Sequence, residues 1–225
     1  MPFPIKTPVL ITAIALFGAL PGITAALHGT DIQDARALVS GSITTIRGTV
    51  TVPSGAFISS TYDKGFAIED KTGGIYISTQ TNHRLKLGDT AEVTGVLGQS
   101  FGLTIVTPSS GRSVIIKRDN DNVTPQRIAT GSVNEASEGC LVTIRGAVSQ
   151  AVSSDLPYGY KFYVNDGSGE IQVFVSTSSY LDLSQMSLGT AVSITGFSGQ
   201  FDTTYEVQPR IQRDLKVLRG DHDDR

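Results

Sequence analysis

Apolar and polar residues alternate through most of this chain in short runs, each closed by glycine, aspartate or serine, and that period-two pattern predicts half-buried β-strands. Ile43–Val52 alternates in this way. Phe66 and Ile68 then share one face, the turn Asp70-Lys71-Thr72-Gly73-Gly74 follows, and Ile75 and Ile77 resume the pattern. Ala91–Leu97, Leu103–Val106 and Val114–Ile116 complete a first set. The order then returns as Leu141–Val148, Phe162 with Val164, the turn Asp166-Gly167-Ser168-Gly169, Ile171–Val175, Ala191–Phe197, Tyr205–Val207 and Leu215–Leu218. Aspartate and glycine between alternating runs predict hairpins. A short helix is predicted at the head of each set. Thr30–Asp34 supplies capping side chains and early acids to Ala35–Val39, which stops at Gly41, and Ser132-Val133-Asn134-Glu135 reads as a capping box stopping at Gly139. Short helices are also expected after the third strands, within Thr79–Lys86 and more clearly over Ser179–Met186.

The two sets are copies of one unit. Ser40–Val50 matches Glu138–Val148 with Arg47 on Arg145, an offset of 98; Phe66–Ile77 matches Phe162–Val173 at 96; Leu87–Gly95 matches Leu188–Gly196 at 101. Insertions fall between the matches, where loops tolerate them. Gly48 and Gly146 interrupt the first strand at the same place, which suits a sharp bend better than the approach of a ligand. Five strands, the first long and bent, define an all-β chain of two tandem five-stranded OB-fold barrels, each with a short leading helix. An immunoglobulin-like sandwich expects about seven strands and no helix. The boundaries follow as 1–26 for a leader, 27–124 for the first barrel, 125–219 for the second and 220–225 for a frayed tail.

Composition narrows the setting. Residues 1–26 carry one charge, Lys6, then an apolar run from Val9 to Leu20, a Pro21-Gly22 break and small residues. That order is a secretory signal, and the run is short for a bilayer span, so a cleaved leader is expected ahead of an uncleaved anchor. The mature protein is expected to be secreted or periplasmic, off the membrane and monomeric. Subtracting Lys6 from 18 basic residues leaves 17 against 21 acidic ones, or −4, so any cationic surface must be local. Cys140 lacks a partner for an internal disulfide and reads as a small filler.

No catalytic constellation emerges, and no enzyme, cofactor or metal is expected. His28, His83 and His222 show no metal-ligand spacing, and the many glycines sit at turns rather than in a phosphate loop. DGSGE at 166–170 has too few oxygen ligands for a calcium loop. Glu69 and Asp70 are neighbours on a strand and point to opposite faces. Arg47 and Arg145 invite a phosphate reading but more often lay the stem on the barrel beside an acid. Arg210, Arg213, Lys216 and Arg219 read as a solvated last strand.

Binding has better candidates. OB-folds use the outer face of strands two and three with the flanking loops. With Phe162, Val164, Ile171 and Val173 facing the core, Lys161, Tyr163, Gln172 and Phe174 face outward, with Tyr158 and Phe201 in the flanking loops. In the first unit Tyr76 points out beside Lys64, with Phe57, Tyr62 and Phe101 in loops. Such rings stack bases. The alternative is that they pack under loops or between the barrels.

ITTIRGTV at 43–50, FAIEDKTGGIYI at 66–77 and LKLGDTAEVTG at 85–95 resemble the tandem OB-fold regions of secreted bacterial proteins, as found attached to extracellular nucleases. The resemblance spans nearly the whole mature chain. It implies an exported, non-catalytic binding or accessory module. Three functions are therefore expected: single-stranded DNA or RNA binding through the second barrel, an envelope-protein interaction or scaffold module, and oligosaccharide binding.

Overall fold

The computed structural model describes residues 29–218, so the expected leader, His28, Arg219 and His222 lie outside the described residues. The first unit runs α1 (Ile32–Arg36), β1 (Ile43–Val52), α2 (Ile58–Thr61), β2 (Phe66–Glu69), β3 (Gly74–Ile77), β4 (Thr90–Ser100), β5 (Leu103–Pro108) and β6 (Val114–Lys117). The second runs β7 (Gln126–Arg127), β8 (Leu141–Asp155), β9 (Gly159–Asn165), β10 (Glu170–Ser176), β11 (Ala191–Phe201), β12 (Thr204–Gln208) and β13 (Leu215–Val217).

The strand order β1-β2-β3-β5-β4 closes through a β1–β4 pairing, and β8-β9-β10-β12-β11 closes through β11–β8. In each barrel only the third and fifth of these strands pair in parallel, β3 with β5 and β10 with β12. That is OB-fold topology, present twice. β6 and β13 add to the far side of β4 and β11.

The repeated glycines explain how one strand serves two neighbours. β1 pairs with β4 up to Thr49 and with β2 from Thr49 onward, so it must turn sharply at Gly48. A Cβ there would sit 2.8 Å from the Glu69 carbonyl oxygen, and one at Gly146 would sit 2.6 Å from that of Asn165. Each barrel then fills with the inward half of its alternation. Ile46, Phe66, Ile68, Ile75 and Val93 form the first core and Ile144, Phe162, Val164, Val173 and Ile194 the second, all fully buried. A side chain of this size contributes about 1.5–3 kcal/mol when buried.

The hairpin aspartates tie the leading segment to each barrel. Asp70 accepts the Ile32 N–H at 2.9 Å at the start of α1, and Asp166 accepts the Thr130 N–H at 3.1 Å and its hydroxyl at 2.7 Å. Hydroxyl bonds from Ser168 and Thr130 hold the Asp166 carboxyl far below the usual range, so its oxygens are committed inside the turn. In the second unit the leading element is a 3₁₀ turn at Thr130–Ser132 followed by further turns, where a capping box had predicted a helix. The helices expected after the third strands do not form. Thr79–Lys86 is irregular, and the second unit has only a 3₁₀ turn at Thr177–Ser179. Serine and threonine hydroxyls there bond locally, as Ser179 does to the Ser176 carbonyl at 2.6 Å, which competes with helix.

Candidate functional site

A third apolar cluster joins the barrels. Val52, Phe57, Ala67, Tyr76, Leu103 and Ile105 on the outside of the first barrel enclose Phe197 on the outside of β11. The Phe197 ring lies 6.2 Å from that of Phe57 and 5.9 Å from that of Tyr76. Gly74 and Gly139 meet backbone to backbone beside this cluster, where a Cβ on Gly139 would be 2.1 Å from the Gly74 oxygen.

Polar groups at the seam are buried with partners from the other barrel. Glu138, buried, accepts from Arg36 at 2.9 Å and from the Thr104 N–H at 3.0 Å. Glu69 accepts the Leu141 N–H at 2.7 Å, and burial pushes its carboxyl up to about 7. Arg210 forms a two-pronged pair with Asp214 and donates to the Thr51 carbonyl at 2.6 Å, so it clamps the barrels together. The solvated position expected for Arg210 is corrected accordingly, while Arg213 and Lys216 are exposed as expected. Burial pushes the nearby Cys140 thiol up to about 11, in keeping with a filler.

Tyr76, predicted as an outward ligand contact, is therefore only 3% exposed, and its hydroxyl donates to buried Asp63 at 2.8 Å. Phe57, predicted in a loop, is core of the same seam. The outer strand-two and strand-three face of the first barrel is closed by the second barrel.

The second barrel keeps that face open. Strand register makes Tyr163 the counterpart of Ala67, Gln172 of Tyr76, Thr204 of Leu103 and Glu206 of Ile105. Four apolar contacts thus become a polar ladder. Tyr163, half-buried, donates to Gln172 at 3.0 Å; Gln172 donates to Glu206 at 2.7 Å; Gln208 donates to the other Glu206 oxygen at 2.7 Å. Burial pushes the Glu206 carboxyl up to about 7 against the pull of those two amides. Lys161 stands across from Phe174 and 4.0 Å from Asp155.

Phe174 departs from expectation. It is 7% exposed and its ring occupies the space beside Gly159, so it forms the floor of the face rather than a stacking surface. Lys64 is half-buried ahead of β2, and no described contact brings it to the second barrel's face.

The loop aromatics come together in like pairs. Tyr158, between β8 and β9, meets Tyr62, between β1 and β2, edge to face at 5.7 Å. Phe201 at the β11–β12 turn stacks on Phe101 at the β4–β5 turn at 5.1 Å, braced by the Asp202 N–H to the Phe101 carbonyl at 2.7 Å. All four rings are exposed. Sequence reasoning placed Tyr62 in a loop and overlooked Tyr180, which is 92% exposed and follows the Thr177–Ser179 turn beside Tyr158. Tyr62, Phe101 and Tyr180 all hold positive φ, at 56°, 48° and 53°. That region favours glycine or asparagine, so an exposed ring there follows neither local backbone preference nor core packing, and for Tyr180 the signal becomes visible only from the backbone.

A separate cleft of about 530 Å³ lies on the first barrel among Thr30, Arg47, Asp70, Glu92 and Asp121, away from the open face. Among the described residues no cluster of three metal-ligating side chains is present.

No family model matches the chain, and no curated protein does. Among solved structures it is similar to an OBody, AM1L10, bound to hen egg-white lysozyme (18% identity, 44% of this chain and 100% of that one, TM-score 0.35). It is also similar to a murine DNA binding protein bound with double-stranded DNA (13%, 80% and 98%, TM-score 0.38) and to a replication protein A heterotrimer bound to single-stranded DNA (9%, 84% and 69%, TM-score 0.28). These scores are too low to carry weight, and the OB-fold assignment stands on the strand pairings.

Proposed function

We propose that this protein is a non-catalytic, exported binding module that holds single-stranded nucleic acid against the second barrel. The observation that carries this reading is the pair of exposed aromatic contacts, Tyr62 with Tyr158 and Phe101 with Phe201, in the loop types that flank the open face. Exposed rings stack bases regardless of sequence, at about 1–3 kcal/mol per base. The Tyr163–Gln172 ladder offers hydrogen bonds to base edges, and Lys161 a contact to phosphate. Export rests on the order of charge, apolar run and small residues in 1–26.

With one lysine beside Asp155 and Glu206, binding through this face draws little on phosphate charge. Its affinity should fall with salt only as steeply as one or two phosphate contacts require. The same neutrality favours a second reading, a neutral oligosaccharide stacked on the tyrosines among Ser59, Ser176 and Ser178.

Fluorescence anisotropy of labelled oligo-dT, titrated with protein lacking residues 1–26 at low and at physiological salt, tests the proposal. Binding that weakens modestly with salt and is lost in Tyr158→Ala and Phe201→Ala supports it. Absence of binding at low salt refutes it, and binding of a neutral oligosaccharide instead establishes the second reading.

A further inference from the structure

The register that equates the two ligand faces also equates a second pair of surfaces. Leu141 on β8 and Phe197 on β11 face each other across the strands and are buried where the second barrel docks on the first. Their counterparts, Ile43 on β1 and Val96 on β4, pair in the same register yet are 75% and 40% exposed. Exposed Leu38 and Val39 precede Ile43, and exposed Ile115 stands on β6, opposite Glu92 of β4. Beyond the Ile43–Val96 row come Thr45 with Thr94, whose hydroxyls bond at 2.8 Å, and then Arg47 with Glu92. A single exposed isoleucine needs no explanation, but a contiguous β-branched sheet face marks a contact surface.

Within the chain, the complement to this corner is the apolar outer face of β2, β3 and β5, and the second barrel already covers it. The corresponding face of the second barrel is polar. What remains is the face itself, which is complementary to a copy of itself. A two-fold axis running along the strands between β1 and β4 sets Ile43 of one copy over Val96 of the other, and Arg47 over Glu92. We propose that two copies of this chain associate through the outer β1–β4 face of the first barrel. Such an isologous contact closes on itself and leaves both second-barrel faces open, so a dimer presents two binding faces.

Sedimentation velocity of the protein lacking residues 1–26, over a dilution series, reads this directly. A dimer that dissociates on dilution is expected. Ile43→Lys or Val96→Lys should leave only monomer with thermal unfolding unchanged, since both side chains are exposed. Arg47→Glu alone should raise the dissociation constant severalfold, and Arg47→Glu with Glu92→Arg should restore it. A monomer at every concentration, or a dimer indifferent to Ile43→Lys and Val96→Lys, overturns the proposal. Oligonucleotide binding by the monomeric variant separates this inference from the proposed function.

Discussion

Two outer faces with the same strand register have opposite fates in this molecule. On the first barrel, Ala67, Tyr76, Leu103 and Ile105 make the outer strand-two and strand-three face apolar, and the second barrel sits on it. On the second barrel, the same positions are Tyr163, Gln172, Thr204 and Glu206, and the face stays open as a hydrogen-bonded ladder. A duplicated barrel thus uses one copy of this face for assembly and leaves the other uncovered by its partner barrel, where the proposed binding takes place. The difference lies in the side chains at these positions, because β2-β3-β5 and β9-β10-β12 share their register there, while β8 and β9 stay paired further along than β1 and β2 do.

Breaking the closed face should have the largest effect. Phe197→Ala empties the centre of the seam and should cost about 3–5 kcal/mol, read as a lower midpoint in chemical or thermal unfolding. Arg36→Ala should cost on the order of 3 kcal/mol, because it leaves the Glu138 carboxylate buried with only the Thr104 N–H. Tyr163→Ala on the open face should change stability by about 1 kcal/mol or less while weakening ligand binding, since the ring is half-buried and bonded only to Gln172.

A smaller effect, graded by pH, sharpens the same contrast. Glu69 at the seam and Glu206 under the ladder both have carboxyls raised from about 4.5 to about 7 by burial. The folded chain therefore holds these protons more tightly than the unfolded chain. Their stabilising contribution is fully present below about pH 4.5 and is lost as pH rises through about 7. The melting temperature should fall between pH 5 and pH 8 on this account. Glu69→Gln with Glu206→Gln should flatten that fall and melt higher than the parent at pH 8, the Gln208 amide turning over so that its oxygen accepts from the new amide at 206 while Gln172 still donates to that amide's oxygen.

The barrels were legible in sequence because their causes are local. Alternation along Ile43–Val52, aspartate and glycine at 70–74 and 166–169, and glycines at 48 and 146 each act within a few residues and agree with one another. The site was legible in part. Tyr158, Phe101 and Phe201 sit in loops as expected, but Tyr76 and Tyr163 carry the same outward strand signal and differ only in whether another barrel covers them. That is a contact between residues more than a hundred positions apart, which period-two patterning does not record. Tyr180 was missed for another reason. Its exposure comes from a left-handed residue after a 3₁₀ turn in a stretch that read as helix.

Hydrogen–deuterium exchange with and without oligo-dT tests the asymmetry between the two faces most directly. Binding at the open face predicts added protection in the segments around Tyr158–Tyr163, Gln172 and Phe201, with Phe66–Ile77 of the first barrel unchanged. Protection confined to the first barrel, or the same in both, would contradict it.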